Sequence, residues 1–195
     1  SAPTGLSKLG IEYLEPWPPV DAKENDRLAL SVRLMPLQTE QRMGVMLMTT
    51  NTVTLHRVLR TTPDRVYRAF LDAEAMVKWL PPHGFTGKVH HLDATVGGTY
   101  RMSFTNFSTG HSHSFGGKYL ELVPNERIRH TDSFDDPNLP GEMETTIALR
   151  PVFCGVELNI VQRGIPEVIP AEACYLGWQE SLALLVQLVE AEVPA

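Results

Sequence analysis

Two residues with acid–base chemistry stand two positions apart in a stretch that alternates. In Ile128-Arg129-His130-Thr131-Asp132 the isoleucine belongs in a core, so on a strand His130 and Asp132 must point inward with it. The same alternation through Val156, Leu158 and Ile160 turns Gln162 inward. A buried imidazole beside a carboxylate is held in one tautomer and can serve as a general base. The same residue types also fit a polar pair that closes a satisfied hydrogen-bond network, or a register read one residue out, and the network is the plainer account. Left unpaired, such a pair would cost a few kcal/mol, so it must be mutually bonded, bound to water, or waiting for a ligand.

The other reactive types lead less far. His111 and His113 are two apart and would face the same way on a strand, as metal ligands can, but no Cys or acidic residue stands at a matching spacing and Gly110 marks a loop. They read as exposed loop histidines, and no metal site is assigned. His90 and His91 point oppositely on a strand and do not chelate together. Cys154 and Cys174 are far apart in apolar surroundings, which implies buried, reduced thiols. Neither Cys174 nor Ser181 has the spacing of a nucleophile motif. Asp132, Asp135 and Asp136 lack a calcium-loop pattern. Gly97-Gly98 lies between strands with no helix to follow, so it is a hairpin turn rather than a phosphate cradle.

These side chains need a frame. Residues 171–192 place apolar or small residues at Ala171, Cys174, Trp178, Leu182, Leu185 and Val189, with Tyr175, Val186 and Leu188 widening the stripe. That is an amphipathic helix about 33 Å long, started at Pro170 and closed by Pro194. Gly177 inside it implies close approach of another backbone. Val53–Arg60 reads as a first strand. Thr62-Pro63-Asp64 starts a short helix, and Asp72 caps a second that carries Met76, Trp79 and Leu80. About six antiparallel strands follow before the long helix. One long helix against many strands is buried only if the sheet curves around it. Residues 1–50 differ: early prolines, a charged patch and one candidate edge strand, Arg27–Met35, form an extension, and Met43, Met46 and Met48 place a natural start near position 48. Residues 51–195 are the domain. The net charge of −6 carries no basic stripe for nucleic acid, and no apolar run spans a membrane. With no signal peptide either, the expected location is cytoplasmic.

The element order and motifs resemble the START-like, birch-pollen-allergen-like superfamily with its helix-grip fold. The chain is most similar to the domain shared with the C-terminal half of the heat-shock protein 90 ATPase activator. The residues that carry this are Thr62-Pro63 with Val66 and Trp79, the Asp93-to-Tyr100 hairpin, Gly117–Pro124, Glu157–Pro166 and Gly177-Trp178. Many relatives carry an aromatic residue where Asp132 stands. The resemblance implies an α+β domain whose curved antiparallel sheet and long helix enclose a cavity. It implies a hydrophobic or aromatic small molecule as partner, as other members bind lipids, hormones or polyketides. Tyr100, Met102, Phe104, Tyr119, Trp178 and Leu182 would line the cavity, and His130, Asp132 and Gln162 would orient the ligand. A cofactor-independent enzyme using His130 and Asp132 in the same cavity is the second reading. A chaperone-interacting domain is the third, since residues 1–50 are too short to replace the activator's N-terminal domain. No organic cofactor is implied, and a homodimer stays open.

Because the order from first strand to last helix is complete from Thr52 onward, removal of residues 1–47 should leave a domain that unfolds cooperatively. Thermal melting of the shortened protein checks this; a molten or insoluble product would assign Leu28–Met35 to the core.

Overall fold

The computed structural model describes residues 51–192 of the chain. The expected edge strand at Arg27–Met35, the rest of the extension and Pro194 lie outside the described residues. The elements in order are β1 (Thr52–Leu59), α1 (Pro63–Ala69), α2 (Ala73–Trp79), β2 (Phe85–Leu92), β3 (Thr99–Asn106), β4 (Ser112–Val123), β5 (Arg127–Phe134), β6 (Met143–Val152), β7 (Gly155–Arg163) and α3 (Ala171–Val189). The strands make one curved antiparallel sheet in the order β1-β7-β6-β5-β4-β3-β2, with β1 and β2 as open edges. This is the expected helix-grip architecture.

Alternation builds the core. Leu55, Ile160, Ile147 and Ile128 are register partners in turn across β1, β7, β6 and β5, and all four are buried. Each contributes about 2 kcal/mol by leaving water. A slip of one residue in any of these strands would turn that apolar set to solvent.

The short helices form for local reasons. Thr62 is extended ahead of Pro63, and its hydroxyl, close to the Asp64 carboxylate, holds that acid below its ordinary range. At α2 the Asp72 carboxylate accepts from the Ala75 amide at 3.0 Å, a cap of about 1 kcal/mol. Trp79 then donates from Nε1 to the Ala69 carbonyl at 2.8 Å and meets the edge of Phe70 at 4.7 Å between ring centres. The two helices thereby form one unit against α3. Ser181 of α3 donates to the Leu80 carbonyl at 2.7 Å, which makes it a fastener rather than a cavity-lining hydroxyl.

The long helix departs from its expected form in three places. It ends at Val189, where Glu190 serves as C-cap and its carboxylate accepts from the backbone amide and Nε of Arg60. Leu182, Leu185 and Val189 are buried, but Tyr175 is 42% exposed, because the stripe narrows toward the N-terminal end. A Cβ on Gly177 would meet nothing within 4 Å, so no other backbone approaches it. Gly177 therefore carries the helix cost of glycine without a packing return. Gly177→Ala should stabilise the domain by about 1 kcal/mol, measured by chemical denaturation; a loss of stability would mean that the open space at this position is needed.

Candidate functional site

One step along the strands from the isoleucine row, the inner face turns polar. Tyr119, His130, Thr145, Gln162 and Val53 are register partners in turn across β4, β5, β6, β7 and β1. Asp132 lies one further step along β5, opposite Met143. His130 and Asp132 thus face the interior as alternation requires, with only 15% and 9% of their side chains exposed. Nδ1 of His130 lies 3.2 Å from Oδ2 of Asp132.

Tyr100 completes the pair from two strands away. Its hydroxyl donates to Oδ1 of Asp132. It also lies 3.0 Å from Nδ1 of His130 and 3.2 Å from the Thr131 carbonyl oxygen. Glycine makes this reach achievable. Tyr100 is the register partner of Gly117, and a Cβ at Gly117 would collide with the Thr131 carbonyl oxygen. The β4–β5 ladder skips Gly117 and Lys118 between its pairs Gly116↔Ser133 and Tyr119↔His130. There the Lys118 amide bonds the Thr131 hydroxyl at 3.3 Å, which leaves the Thr131 carbonyl to the tyrosine. Thr145 adds a donor to Oδ2 of Asp132 at 3.4 Å. Alternation with Ile147 turns Thr145 to the inner face, but no local spacing joins it to Asp132.

Gln162 is bonded to the long helix. Its Oε1 accepts from Nε1 of Trp178 at 2.8 Å and from the Cys174 thiol at 3.1 Å, and its Nε2 faces the Met143 sulfur at 3.6 Å. The amide ties β7 to α3. Of the expected lining residues, Tyr100, Met102, Tyr119 and Leu182 are buried, while Phe104 and Trp178 are half-buried against the core. A cleft of about 450 Å³ opens between β1 and the start of α3, lined by Thr52, Val53, Thr54, Ala171, Glu172, Tyr175 and Leu176. None of the expected lining residues borders it, although Val53 is the register partner of Gln162.

Two sequence expectations are corrected. His113 is not an exposed loop histidine: it sits on β4, half-buried, with its ring against Phe85, Phe104, Phe115 and Phe134. The strand runs further toward Gly110 than expected, and alternation from Phe115 carries His113 inward. Cys154 is exposed, since it occupies the turn between β6 and β7 rather than a strand; Cys174 is half-buried. His90 is bonded to Ser103, with 2.8 Å from Nε2 to Oγ. Among the described residues, no three His, Cys, Asp or Glu side chains are grouped as a metal site.

Desolvation sets the charge of the pair. Burial pushes the Asp132 carboxyl up to about 8, opposed by the Thr145 hydrogen bond, and pushes His130 down to about 4. Burial also raises the Cys174 thiol to about 11, helped by Asp132. Near neutral pH the carboxyl therefore keeps its proton and the imidazole is uncharged. All hydrogen bonds of the imidazole run through Nδ1, so Nε2 is the atom open to a further partner. A neutral acid beside a neutral base can orient a polar group or move one proton; neither task needs a metal or an organic cofactor.

A curved antiparallel sheet gripping a long C-terminal helix, with two short helices after the first strand, defines the helix-grip class of START-like domains. The family model for activator of Hsp90 ATPase homolog 1-like proteins matches residues 60–190, and the chain belongs to that family. A crystal structure of a protein from Chromobacterium violaceum is 62% identical, covers 73% of this chain and 99% of its own, and superposes with a TM-score of 0.72. A protein from Rhodobacter sphaeroides is 22% identical over 70% of this chain and 90% of its own, with a TM-score of 0.62. One from Nitrosomonas europaea is 18% identical over 72% of this chain and 94% of its own, with a TM-score of 0.61. These last two show a common fold. Comparison with curated proteins gives no match.

The buried pair makes stability depend on pH with a definite sign. Asp132 holds an extra proton in the folded state above its unfolded value of about 4, so its contribution is present at low pH and is lost as pH rises through about 8. His130, depressed to about 4, gives the opposite slope between about 4 and its unfolded value of about 6.5. The two slopes cancel below about 6.5, leaving a net fall in stability from about pH 6.5 to 8, with a slope of up to about 1.4 kcal/mol per pH unit. Asp132→Asn, which keeps the shape and a donor, should flatten that fall in denaturant titrations at pH 6.5 and 8. An unchanged slope would show that the carboxyl is ionised throughout.

Proposed function

We propose that this chain is a small-molecule binding protein that takes a hydrophobic or aromatic ligand between α3 and the concave face of the sheet. Residues 51–195 form the binding domain on this reading, and residues 1–50 an N-terminal extension. The carrying observation is the cluster of Tyr100, His130, Asp132 and Thr145. Four polar side chains stand in the core, and His130 turns Nε2 away from all of its bonds within the cluster. Keeping such groups out of water has a cost that an apolar replacement would avoid, and the offset comes when a ligand uses them. Apolar walls with a few placed polar groups are what a small-molecule site requires, and helix-grip domains commonly bind hydrophobic ligands. In this reading Tyr100, Met102, Phe104, Tyr119, Trp178 and Leu182 supply the wall. His130 and Asp132 meet the polar group of the ligand, and Gln162 holds the helix at the correct height. The protein would act in the cytoplasm.

A second reading, catalysis in the same place, is favoured by one observation: a carboxyl that keeps its proton near neutrality touches an imidazole that has lost its own. The matched family is named for an activator of a chaperone ATPase, and chaperone binding is the third outcome that the experiment distinguishes.

The experiment is a thermal-shift screen of hydrophobic small molecules. A true ligand at a hundred times its Kd should stabilise the protein by about 2.7 kcal/mol. His130→Phe should keep the fold and lose the shift, whereas His111→Ala should change neither. Consumption of a hit over time would move the assignment from binding to catalysis. Equal shifts in wild type and His130→Phe would remove the cluster from the site. Capture of Hsp90 by a protein that answers to no small molecule would favour the chaperone role.

A further inference from the structure

Beyond the His130 cluster the inner face carries a second group of rings. Phe104 and His113 are register partners across β3 and β4, and Phe115 and Phe134 across β4 and β5. The His113 ring lies 6.1 Å from Phe85, 5.8 Å from Phe104, 6.4 Å from Phe115 and 6.2 Å from Phe134. Phe104 and Phe115 meet edge to face at 4.9 Å. All five residues are half-buried. α3 packs chiefly on β1, α1 and α2, so these rings keep accessible surface while belonging to the inner face. Among the described residues, neither ring nitrogen of His113 has a hydrogen-bond partner. The inner face thus carries two imidazoles with an uncommitted nitrogen, His113 among the phenylalanines and His130 beside Tyr100.

The group is continuous with the cluster, because Phe134 stands two residues beyond Asp132 on β5 and Phe115 opposite Met102 next to Tyr100. The charge pattern then narrows the occupant. The inner positions of β3 to β7 carry no lysine, arginine or glutamate, and Asp132 is their single acid. A carboxylate or phosphate brought here would lose its hydration and find no lysine or arginine to pair with. Burial moves the groups the same way: it lowers His113, with His111 adding to the effect, and raises Asp132. Ring faces and edges in offset contact suit another flat ring.

We propose that Phe85, Phe104, His113, Phe115 and Phe134 form a second subsite, continuous with the Tyr100–His130–Asp132 cluster, that holds the ring of an uncharged aromatic molecule whose hydroxyl bonds an imidazole nitrogen. The proposal rests on the reading of the grip interior as the ligand site.

The test uses the full chain with 2-naphthol as the uncharged probe and 2-naphthoate as its charged isostere. Calorimetric titration should show 2-naphthol binding at least about tenfold more tightly than 2-naphthoate, and weakening by about tenfold in His113→Leu and in Phe134→Ala. In the wild type, saturation with 2-naphthol should shift the His113 ring-proton resonance, a readout that survives if either variant fails to fold. Binding lost in His130→Phe but unchanged in both ring variants would overturn the second subsite and leave the ligand-binding function standing. Equal affinity for 2-naphthoate would overturn the uncharged specificity. No binding of either probe, with the His113 resonance unmoved, would overturn the subsite outright, and the thermal-shift screen would then decide the wider function separately.

Discussion

The structure depends on a register held by one apolar row. Leu55, Ile160, Ile147 and Ile128 meet across four strands, and their burial makes every one-residue slip costly by several kcal/mol. The polar residues of β5, β6 and β7 are positioned by that row. His130 and Asp132 point inward because Ile128 does. Thr145 does so because Ile147 does, and Gln162 because Ile160 does. The polar cluster is therefore the neighbour, on the same pleated surface, of the residues that make the sheet stable. It inherits their rigidity, which a site with oriented hydrogen bonds requires.

A second constraint is desolvation. Once the isoleucines fix the inner face, any polar residue on it must find a partner or stay neutral. The cluster does both. Tyr100 reaches across Gly117 to Asp132, Thr145 donates from the next strand, and the carboxyl keeps its proton. A side chain at Gly117 would drive β4 away from Thr131. The glycine pair in β4 is thus as much a part of the site as the groups that touch. The ladder gives up regular pairing over Gly117 and Lys118, and the backbone groups released there are taken by the Thr131 hydroxyl and the Tyr100 hydroxyl.

How much of this the sequence disclosed follows from the same physics. Alternation with period two, the long helical stripe and the caps of the short helices disclosed the order of elements along the chain and the inward direction of His130, Asp132 and Gln162. Those signals are strong because each rests on burial of many residues at once. What stayed hidden depends on single contacts. That Gln162 is held by Trp178 and Cys174, and that Tyr100 is bonded to Asp132 from two strands away, are pairings between distant positions that no local spacing encodes. Gly110 signals a loop around His113, but the strand begins at Ser112 and alternation then turns His113 inward. Gly177 implies a close approach that the structure does not contain. Glycine in a helix marks a departure from propensity without saying what, if anything, compensates it.

Along α3, the two halves are packed differently. Toward the C-terminal end, Leu182, Leu185 and Val189 are buried and Glu190 is anchored by Arg60. Toward the N-terminal end, Cys174 and Trp178 are half-buried, Tyr175 and Leu176 are exposed, and the inward contact is polar, through Gln162. Gly177 stands between the halves. A helix packed equally tightly along its whole length would leave nothing to open over the sheet. One packed along its C-terminal half holds the fold there, while the other half meets the sheet through the Gln162 amide. The cost of glycine in the helix, about 1 kcal/mol, is small beside the burial of the leucines, so the chain tolerates it without loss of the fold. The polar cluster stands at the end of the sheet faced by the looser half of the helix. That placement concentrates the desolvated polar groups where the packing demand on α3 is least.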